Sequence, residues 1–125
     1  METQLTQQDF ILPADAIEFQ PFTLPGWSGH TEAAFLNTDV ARAPFVAQAR
    51  LAPGAFIQRH LHPTAAEAVY VVAGELLNDG QRLPAGSFMA HGPGVAHGPH
   101  TTETGCTLMF LQFPGVTVED TVLVE

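Results

Sequence analysis

Histidines supply most of the side chains in this sequence whose spacing could support chemistry. Five of the six histidines lie between positions 60 and 100. His60 and His62 are two residues apart, so on a β-strand both imidazoles project from the same face. Glu67 and His97 each follow a turn segment that can bring the chain back to the same pocket. Three imidazoles and one carboxylate suit one divalent first-row metal: iron, manganese, zinc, nickel, cobalt or copper.

His100 is a further candidate for a role in this pocket. It follows His97 by three residues, which on a regular strand places the two side chains on opposite faces. We therefore do not expect His100 to be a fifth ligand. We expect it to lie on the surface, and the alternative is a proton carrier near the mouth of the pocket. Together with Glu67, His100 is named as a candidate catalytic residue.

The residues beside the predicted ligands indicate what kind of substrate the pocket would admit. Phe56 and Gln58 share the parity of His60, so both are expected to face the cavity. Phe56, Val69 and Val71 are expected to form apolar walls that keep water out. A cavity of this composition favours an apolar or neutral carbonyl substrate over a highly charged one.

Glycines and prolines mark the turns between the elements that must position these residues. The chain has 11 glycines and 10 prolines, spread between short runs rich in β-branched and aromatic residues. None of the runs has helical apolar spacing over ten or more residues, so the pattern predicts an all-β barrel or sandwich. We expect a polar arm over 1–15 and one domain over 16–125. The predicted strand runs are Phe45–Leu51, Ala55–Leu61, Ala68–Ala73, Ser87–Ala90, Thr107–Phe113 and Val116–Val124.

Composition and charge exclude several classes of function. The 125 residues carry 13 acidic and 4 basic side chains, a net charge of −9, and all four basic residues are arginine. Nucleic acid and anionic membranes are therefore poor partners, and without lysine neither a Schiff base nor a P-loop is possible. The lone Cys106 excludes an intramolecular disulfide. The sequence shows no basic and apolar leader and no long apolar stretch, so we expect a cytoplasmic protein.

Two stretches of the sequence resemble the paired motifs of the cupin superfamily. Residues Gly54–Gly74 match the first motif, G-x5-H-x-H-x3-4-E-x6-G, at every fixed position. Gly86–His97 resembles the second motif, G-x5-P-x-G-x2-H, although Gly92 stands where the proline is usual. With only 75–85 between the motifs, the chain is similar to small single-domain cupins. These include the metal-binding cupin domains of anti-sigma factors and the diketone- and acetophenone-cleaving dioxygenases.

The resemblance implies a double-stranded β-helix, or jelly-roll barrel, with one metal ion inside, held by His60, His62, Glu67 and His97. It also implies a small-molecule substrate. Jelly-roll barrels of this kind keep partly open sheet edges, and a segment such as Thr117–Val124 would be able to cover the edge of a neighbour. We therefore expect a homodimer.

Three classes of function remain open from the sequence. The first is an iron-dependent dioxygenase that cleaves a small dicarbonyl or aromatic ketone, and we favour it. The second is a non-redox metal-dependent isomerase, lyase or cyclase, in which the metal polarises a carbonyl and a nearby group moves a proton. The third is a metal-binding sensor module, which the lack of room for a fused helical domain in 125 residues makes less favoured.

Overall fold

The computed structural model describes residues 9–114 and 120–125, and in these residues the protein is almost entirely β-structure. One short 3-10 helix, Ala14–Ala16, precedes the strands. The strands are β1 (Gln20–Pro21), β2 (Trp27–Ser28), β3 (Thr31–Asn37), β4 (Phe45–Leu51), β5 (Phe56–Ile57), β6 (His60–Leu61), β7 (Ala66–Asn78), β8 (Gln81–Pro84), β9 (Phe88–His91), β10 (His100–Thr101), β11 (Cys106–Phe113) and β12 (Val122–Leu123).

The strands form two antiparallel layers that share one long strand, β7. In the first layer the order is β1-β3-β4-β11-β7, and β9 pairs with the other side of β7. In the second layer the end of β7 pairs with β8 and β10, and β10 continues to β5 and β2. The short pair β6 and β12 lies apart from both layers. This arrangement is the predicted jelly-roll fold.

The bend in β7 that joins the layers depends on a glycine. Gly74 has φ 76°, a conformation that side-chain-bearing residues rarely adopt. A Cβ atom at Gly74 would lie 2.2 Å from the backbone oxygen of Gly105, which is far inside van der Waals contact. Only glycine therefore lets β7 cross from the first layer to the second against the start of β11.

The hydrophobic core lies between the two layers. Val69 and Val71 on β7, Leu108 on β11 and Leu76 beyond the bend are each at most 1% exposed. Along the first half of β7, buried residues alternate with exposed ones such as Tyr70, as expected for a strand with one covered face. The same inward row of β7 begins with Glu67, so core packing fixes the strand that carries this carboxylate.

One irregularity overturns the predicted parity around the first two histidines. The predicted run Ala55–Leu61 forms two short strands, β5 and β6, with Gln58 and Arg59 outside both. Ile57 is 2% exposed and faces the core, whereas Phe56 is 39% exposed. The predictions that Phe56 and Gln58 face the cavity are therefore wrong. The Gln58 side chain instead donates a hydrogen bond to the backbone oxygen of Val124.

The last described segment also departs from its prediction. Residues 115–119, which include much of the predicted run Val116–Val124 and of the predicted edge-covering segment Thr117–Val124, lie outside the described residues. Val122–Leu123 pairs with β6 of the same chain. The homodimer stays a prediction, as does the arm over 1–15, of which 1–8 are not described. The described part of the chain holds no helix long and apolar enough to cross a membrane.

Candidate metal centre

Two strands, β6 and β7, and a loop that bridges to β6 bring the predicted ligands together. His60 begins β6 and His62 follows its end, so both imidazoles point the same way, as their spacing predicts. His97 joins His60 through two backbone hydrogen bonds of 3.0 and 2.8 Å, His60 N to His97 O and the reverse. Glu67 enters from β7. One potential ligand atom from each of the four side chains lies within 4.8 Å of the others, and all four residues are buried.

Backbone carbonyls orient each of the three imidazoles. The Nδ1 of His60 donates a 2.7 Å hydrogen bond to the oxygen of Gln58, and that of His97 donates a 3.1 Å bond to Val95. The Nδ1 of His62 donates a 2.8 Å bond to the oxygen of Asp120. Because a carbonyl oxygen can only accept, each neutral ring carries its proton on Nδ1 and leaves the Nε2 lone pair free for the cluster.

Glu67 lies between two of the imidazoles. Its Oε1 is 3.3 Å from His97 Nε2, and its Oε2 is 3.4 Å from His62 Nε2. Gln112 sits directly opposite on β11 and donates a 2.6 Å hydrogen bond to Glu67 Oε2. Burial alone would raise the pKa of Glu67, but the hydrogen bonds and charges of His62 and His97 lower it well below its usual range. Glu67 is therefore an ionised carboxylate, as a metal ligand must be.

The first two histidines differ in their protonation. Burial lowers the pKa of His60, and the positive charge that His97 would carry lowers it further. Burial also lowers the pKa of His62, but the hydrogen bond to Glu67 and the negative charge of that carboxylate have a larger combined effect. The pKa of His62 is therefore raised. In the metal-free site a proton therefore resides more readily on His62 than on His60, and a cation would replace it there.

Asp120 fixes the loop between two of the predicted ligands. Its Oδ1 accepts hydrogen bonds from Thr64 N at 3.2 Å and Thr64 Oγ1 at 2.7 Å, and its Oδ2 accepts from Ala65 N at 3.1 Å. The same residue supplies the backbone oxygen that orients His62. Asp120 thus holds both the loop from His62 to Glu67 and the ring of His62.

His100 lies in the site rather than on the surface. It is 3% exposed, and its ring centroid lies 5.9 Å from that of His60 and 5.7 Å from that of His97. The expected opposite facing of His97 and His100 is wrong, because Gly98, with φ 91°, lies between them and breaks the strand alternation. Burial, with the neighbouring His60 and His97, lowers the pKa of His100 to about 3.

His91 is a fifth histidine of the site that the sequence did not single out. It pairs with Glu67 across β7 and β9, and its ring stacks on that of His97 with centroids 3.8 Å apart and planes 1° apart. Burial is the main reason that the pKa of His91 falls to about 4. The neutral ring thereby braces the face of His97.

An apolar cavity of about 230 Å³ opens beside the cluster. His60, His62, Glu67, His100 and Gln112 lie in its polar part. Most of the rest of the wall is aromatic or aliphatic and comes from the N-terminal strands, β4, β11 and the segment around β12. Those lining residues are Phe22, Leu24, Pro25, Trp27, Ala33, Phe35, Phe45, Ala47, Ala49, Ile57, Phe110 and Leu123.

The cavity wall differs from the predicted one. Phe56, Val69 and Val71 were expected to line it, but Phe56 faces outward and the two valines pack in the core. The actual aromatic lining comes partly from residues 22–35, which the strand analysis did not resolve. Gln112 was also missed, although it is the one amide in the otherwise apolar inward row of β11. Asp120 had no local signal, because its partners lie more than 50 residues away.

The residues of the cluster fit a divalent metal. When these rings are neutral and carry their proton on Nδ1, the buried Nε2 atoms of His62 and His97 have no hydrogen-bond donor among the described residues, because the adjacent carboxylate of Glu67 can only accept. Buried polar atoms are ordinarily satisfied, because leaving them unpaired costs about 1–3 kcal/mol each. Three imidazoles with free Nε2 lone pairs around one ionised carboxylate form a donor set that a first-row cation would satisfy.

Comparison with known proteins gives one family match and several similar folds. The family model of the ChrR cupin-like domain matches residues 7–115. A predicted oxalate decarboxylase of Thermotoga maritima is 21% identical with a TM-score of 0.70, over 82% of this chain and 97% of that one. The polyketide cyclase RemF of Streptomyces resistomycificus is 16% identical with a TM-score of 0.68, over 84% and 79%.

A third similar structure is an acetylacetone dioxygenase from Acinetobacter johnsonii. It is 16% identical with a TM-score of 0.66, over 93% of this chain and 74% of that one. No curated protein matches the sequence at a significant level. The three structures carry the names of three different reactions, so the shared architecture establishes the fold and leaves the reaction to be argued from the site.

Proposed function

The chain belongs to the ChrR cupin-like domain family, and we propose that it is a metal-dependent dioxygenase that cleaves a small dicarbonyl or aromatic ketone. One observation carries this proposal: a buried cluster of three histidines and a glutamate forms the polar part of an otherwise apolar cavity. The arrangement places a cation site beside a space for a small organic molecule, as in enzymes that act on carbonyl compounds.

In this proposal His60, His62 and His97 hold the metal through Nε2, and Glu67 holds it through a carboxylate oxygen. A bound divalent ion would supply Lewis-acid polarisation of a carbonyl, and iron would add reactivity toward dioxygen. Iron is therefore the proposed metal, with manganese, zinc, nickel, cobalt and copper as alternatives compatible with the donor set.

The cavity wall supports a neutral and largely apolar substrate. In the described part of the chain, no lysine or arginine side chain lines the cavity, and Glu67 is its one acidic group. A carboxylate substrate would thus lack a cationic partner apart from the metal. Trp27, Phe45 and Phe110 offer apolar surface to an alkyl or aryl group and exclude water from the reacting atoms.

The environment of Glu67 favours a role as ligand over a role as base. The lowered pKa makes its carboxylate a weak proton acceptor. The hydrogen bond from Gln112 also occupies one of its oxygens. We therefore propose that Glu67 acts chiefly by holding the metal, and its catalytic transfer of a proton stays a prediction.

Oxygen uptake tests the proposed reaction. The protein is loaded anaerobically with iron(II), mixed with a panel of β-diketones and hydroxyaryl ketones, and exposed to oxygen while an electrode records consumption. We expect stoichiometric uptake and cleavage products with at least one member of the panel. His62→Ala should abolish it, whereas His30→Ala, which removes an exposed histidine outside the cavity, should retain it. Equal turnover without oxygen, or with zinc in place of iron, would reject the oxidative reaction.

A non-redox enzyme is the second candidate, because a metal ion beside an apolar cavity would polarise a carbonyl without any need for oxygen. The same cavity would hold a carbonyl substrate while the protein catalyses its rearrangement, its cyclisation or an elimination reaction without oxygen. Substrate conversion by the zinc-loaded protein under nitrogen distinguishes this activity. Tight binding of a ligand with no conversion under either condition would instead indicate the sensor function.

A further inference from the structure

His100 differs from the three histidines assigned to the metal in the bonding of its ring. Each of those rings has its Nδ1 bound to a backbone carbonyl. The Nδ1 of His100 is buried without a hydrogen-bond partner, although the residue is only 3% exposed. The ring nevertheless forms part of the cavity wall. The free-energy cost of burying this nitrogen is thus not offset by any hydrogen bond within the described protein.

The unpartnered Nδ1 indicates where the proton of this ring lies. A neutral imidazole has one N–H donor and one acceptor nitrogen. Buried N–H groups without an acceptor are rarer than buried acceptors without a donor. The favoured tautomer of His100 therefore has a bare Nδ1 and its proton on Nε2. In this tautomer the ring offers a hydrogen-bond donor from Nε2.

We propose that His100 is a specificity-determining residue that donates a hydrogen bond from Nε2 to a carbonyl oxygen of the substrate. This inference rests on the proposed function, because it takes the cavity to be a substrate site. The partner must be an acceptor in the polar part of the cavity, since the ring lies within 6 Å of His60 and His97 by centroid. The preferred ligand is then a neutral molecule with an oxygen acceptor at one end and an apolar body against the aromatic wall.

The role assigned to His100 is therefore recognition rather than proton transport. A proton carrier needs hydrogen-bonded partners that pass the proton on, whereas the described protein gives the Nδ1 of His100 no such partner. A neutral donor discriminates instead between ligands with and without an acceptor, because a ligand lacking it would leave the buried N–H unpaired. The binding affinity of hydrocarbons of the same shape should not depend on His100.

Ligand binding can be measured without turnover, since Trp27 lines the cavity and is the only tryptophan of the chain. Its fluorescence is followed as 1-phenylbutane-1,3-dione or butylbenzene is added to the anaerobic iron(II) protein and to the metal-free protein. Isothermal titration calorimetry gives a second readout. The variants are His100→Leu, which removes the donor, and His100→Gln, whose amide nitrogen reaches about as far as Nε2. Circular dichroism verifies that each variant is folded.

We expect His100→Leu to weaken binding of the diketone about 10-fold in both forms of the protein and to leave butylbenzene unchanged. His100→Gln should restore diketone binding to within about threefold of the wild type. Equal weakening of both probes, no weakening of either, or no binding of the diketone to the wild type would overturn the inference. If the variants bind the two probes as expected but the iron-loaded protein consumes no oxygen with any diketone, the proposed dioxygenase is rejected. The recognition role of His100 would still stand in that case.

Discussion

Gln112 and Glu67 face each other across β11 and β7, and the amide of Gln112 donates a 2.6 Å hydrogen bond to a carboxylate oxygen of Glu67. Both side chains are buried, at 7% and 6% exposure. The glutamate is thus held in place by the sheet register as well as by the histidines around it. A donor outside the predicted metal ligands thus fixes the orientation of one of them.

Replacing Gln112 by leucine should weaken metal binding about 10- to 100-fold, because one oxygen of Glu67 would lose the amide that donates to it. The dissociation constant for iron(II) or zinc, measured by competition with a chromophoric chelator, tests this. The exposed Gln81 on β8 provides the matched control, and Gln81→Leu should leave the constant unchanged. Equal affinity in the two variants would mean that the amide does not support the ligand.

Removing one predicted ligand should abolish stoichiometric metal. His62→Ala leaves three donors and a cavity in place of the ring, so we expect far less than one ion per chain after dialysis. His30→Ala, at an exposed histidine, should retain one ion. Elemental analysis of both purified proteins gives the ratio. A tightly held ion in His62→Ala would contradict the ligand assignment.

Asp120→Ala should loosen the loop between His62 and Glu67. The substitution deletes the acceptors of three hydrogen bonds from Thr64 and Ala65 but leaves the backbone oxygen that binds His62. We expect a loss of about 1–3 kcal/mol in the free energy of unfolding and faster release of metal. Denaturant unfolding and stopped-flow chelation measure the two effects. Asp120→Asn keeps one acceptor oxygen and should lie between Asp120→Ala and the wild type.

Acid should destabilise the metal-free protein through His100. Its pKa is about 3 when folded and 6.5 in an unfolded chain, so below pH 6.5 the unfolded state binds the extra proton. Stability from this group is present above pH 6.5 and is lost as the pH falls toward 3. Between pH 7.5 and 5.0, the wild type should lose about 2 kcal/mol more than His100→Leu. Urea unfolding at the two pH values, with chelator present, gives this difference, and parallel losses would contradict the assigned pKa.

The expected homodimer has a simple test. Phe88 and Phe113 are 65% and 64% exposed, and β9 pairs only with β7 among the described strands, so an apolar surface and a sheet edge are both open. Light scattering at micromolar concentration should give about 27 kDa, twice the chain mass of 13.4 kDa. A mass of about 13 kDa would show a monomer.

The sequence predicted the fold class and the meeting of the four ligand residues well, because both depend on local patterns. The run Phe45–Leu51 forms β4 with the same bounds. The spacing of His60 and His62 holds because His60 begins the strand β6 and His62 directly follows its end. Strand parity is reliable within such a stretch and turn signals mark its ends.

Parity failed wherever the extended chain was interrupted. Gln58 and Arg59 separate β5 from β6 and reverse the faces of Phe56 and Ile57. Gly98 does the same for His100. At neither interruption does the sequence contain a motif that predicts the change in backbone direction. The supporting contacts of the site were harder still, since they join residues far apart in the chain.

The sequence separation of these supporting contacts sets the order in which the site can form. Gln112 and Glu67 are 45 residues apart, and Asp120 and His62 are 58 apart. Contacts between residues so far apart in the sequence form late in folding and lower the folding rate, because a long loop must close before they can form. The unfolded chain presents a cation with no more than the neighbouring pair His60 and His62, so tight capture of the ion must follow the folding barrier. A bound ion would then act as a kinetic lock that slows unfolding and has little influence on the rate of folding.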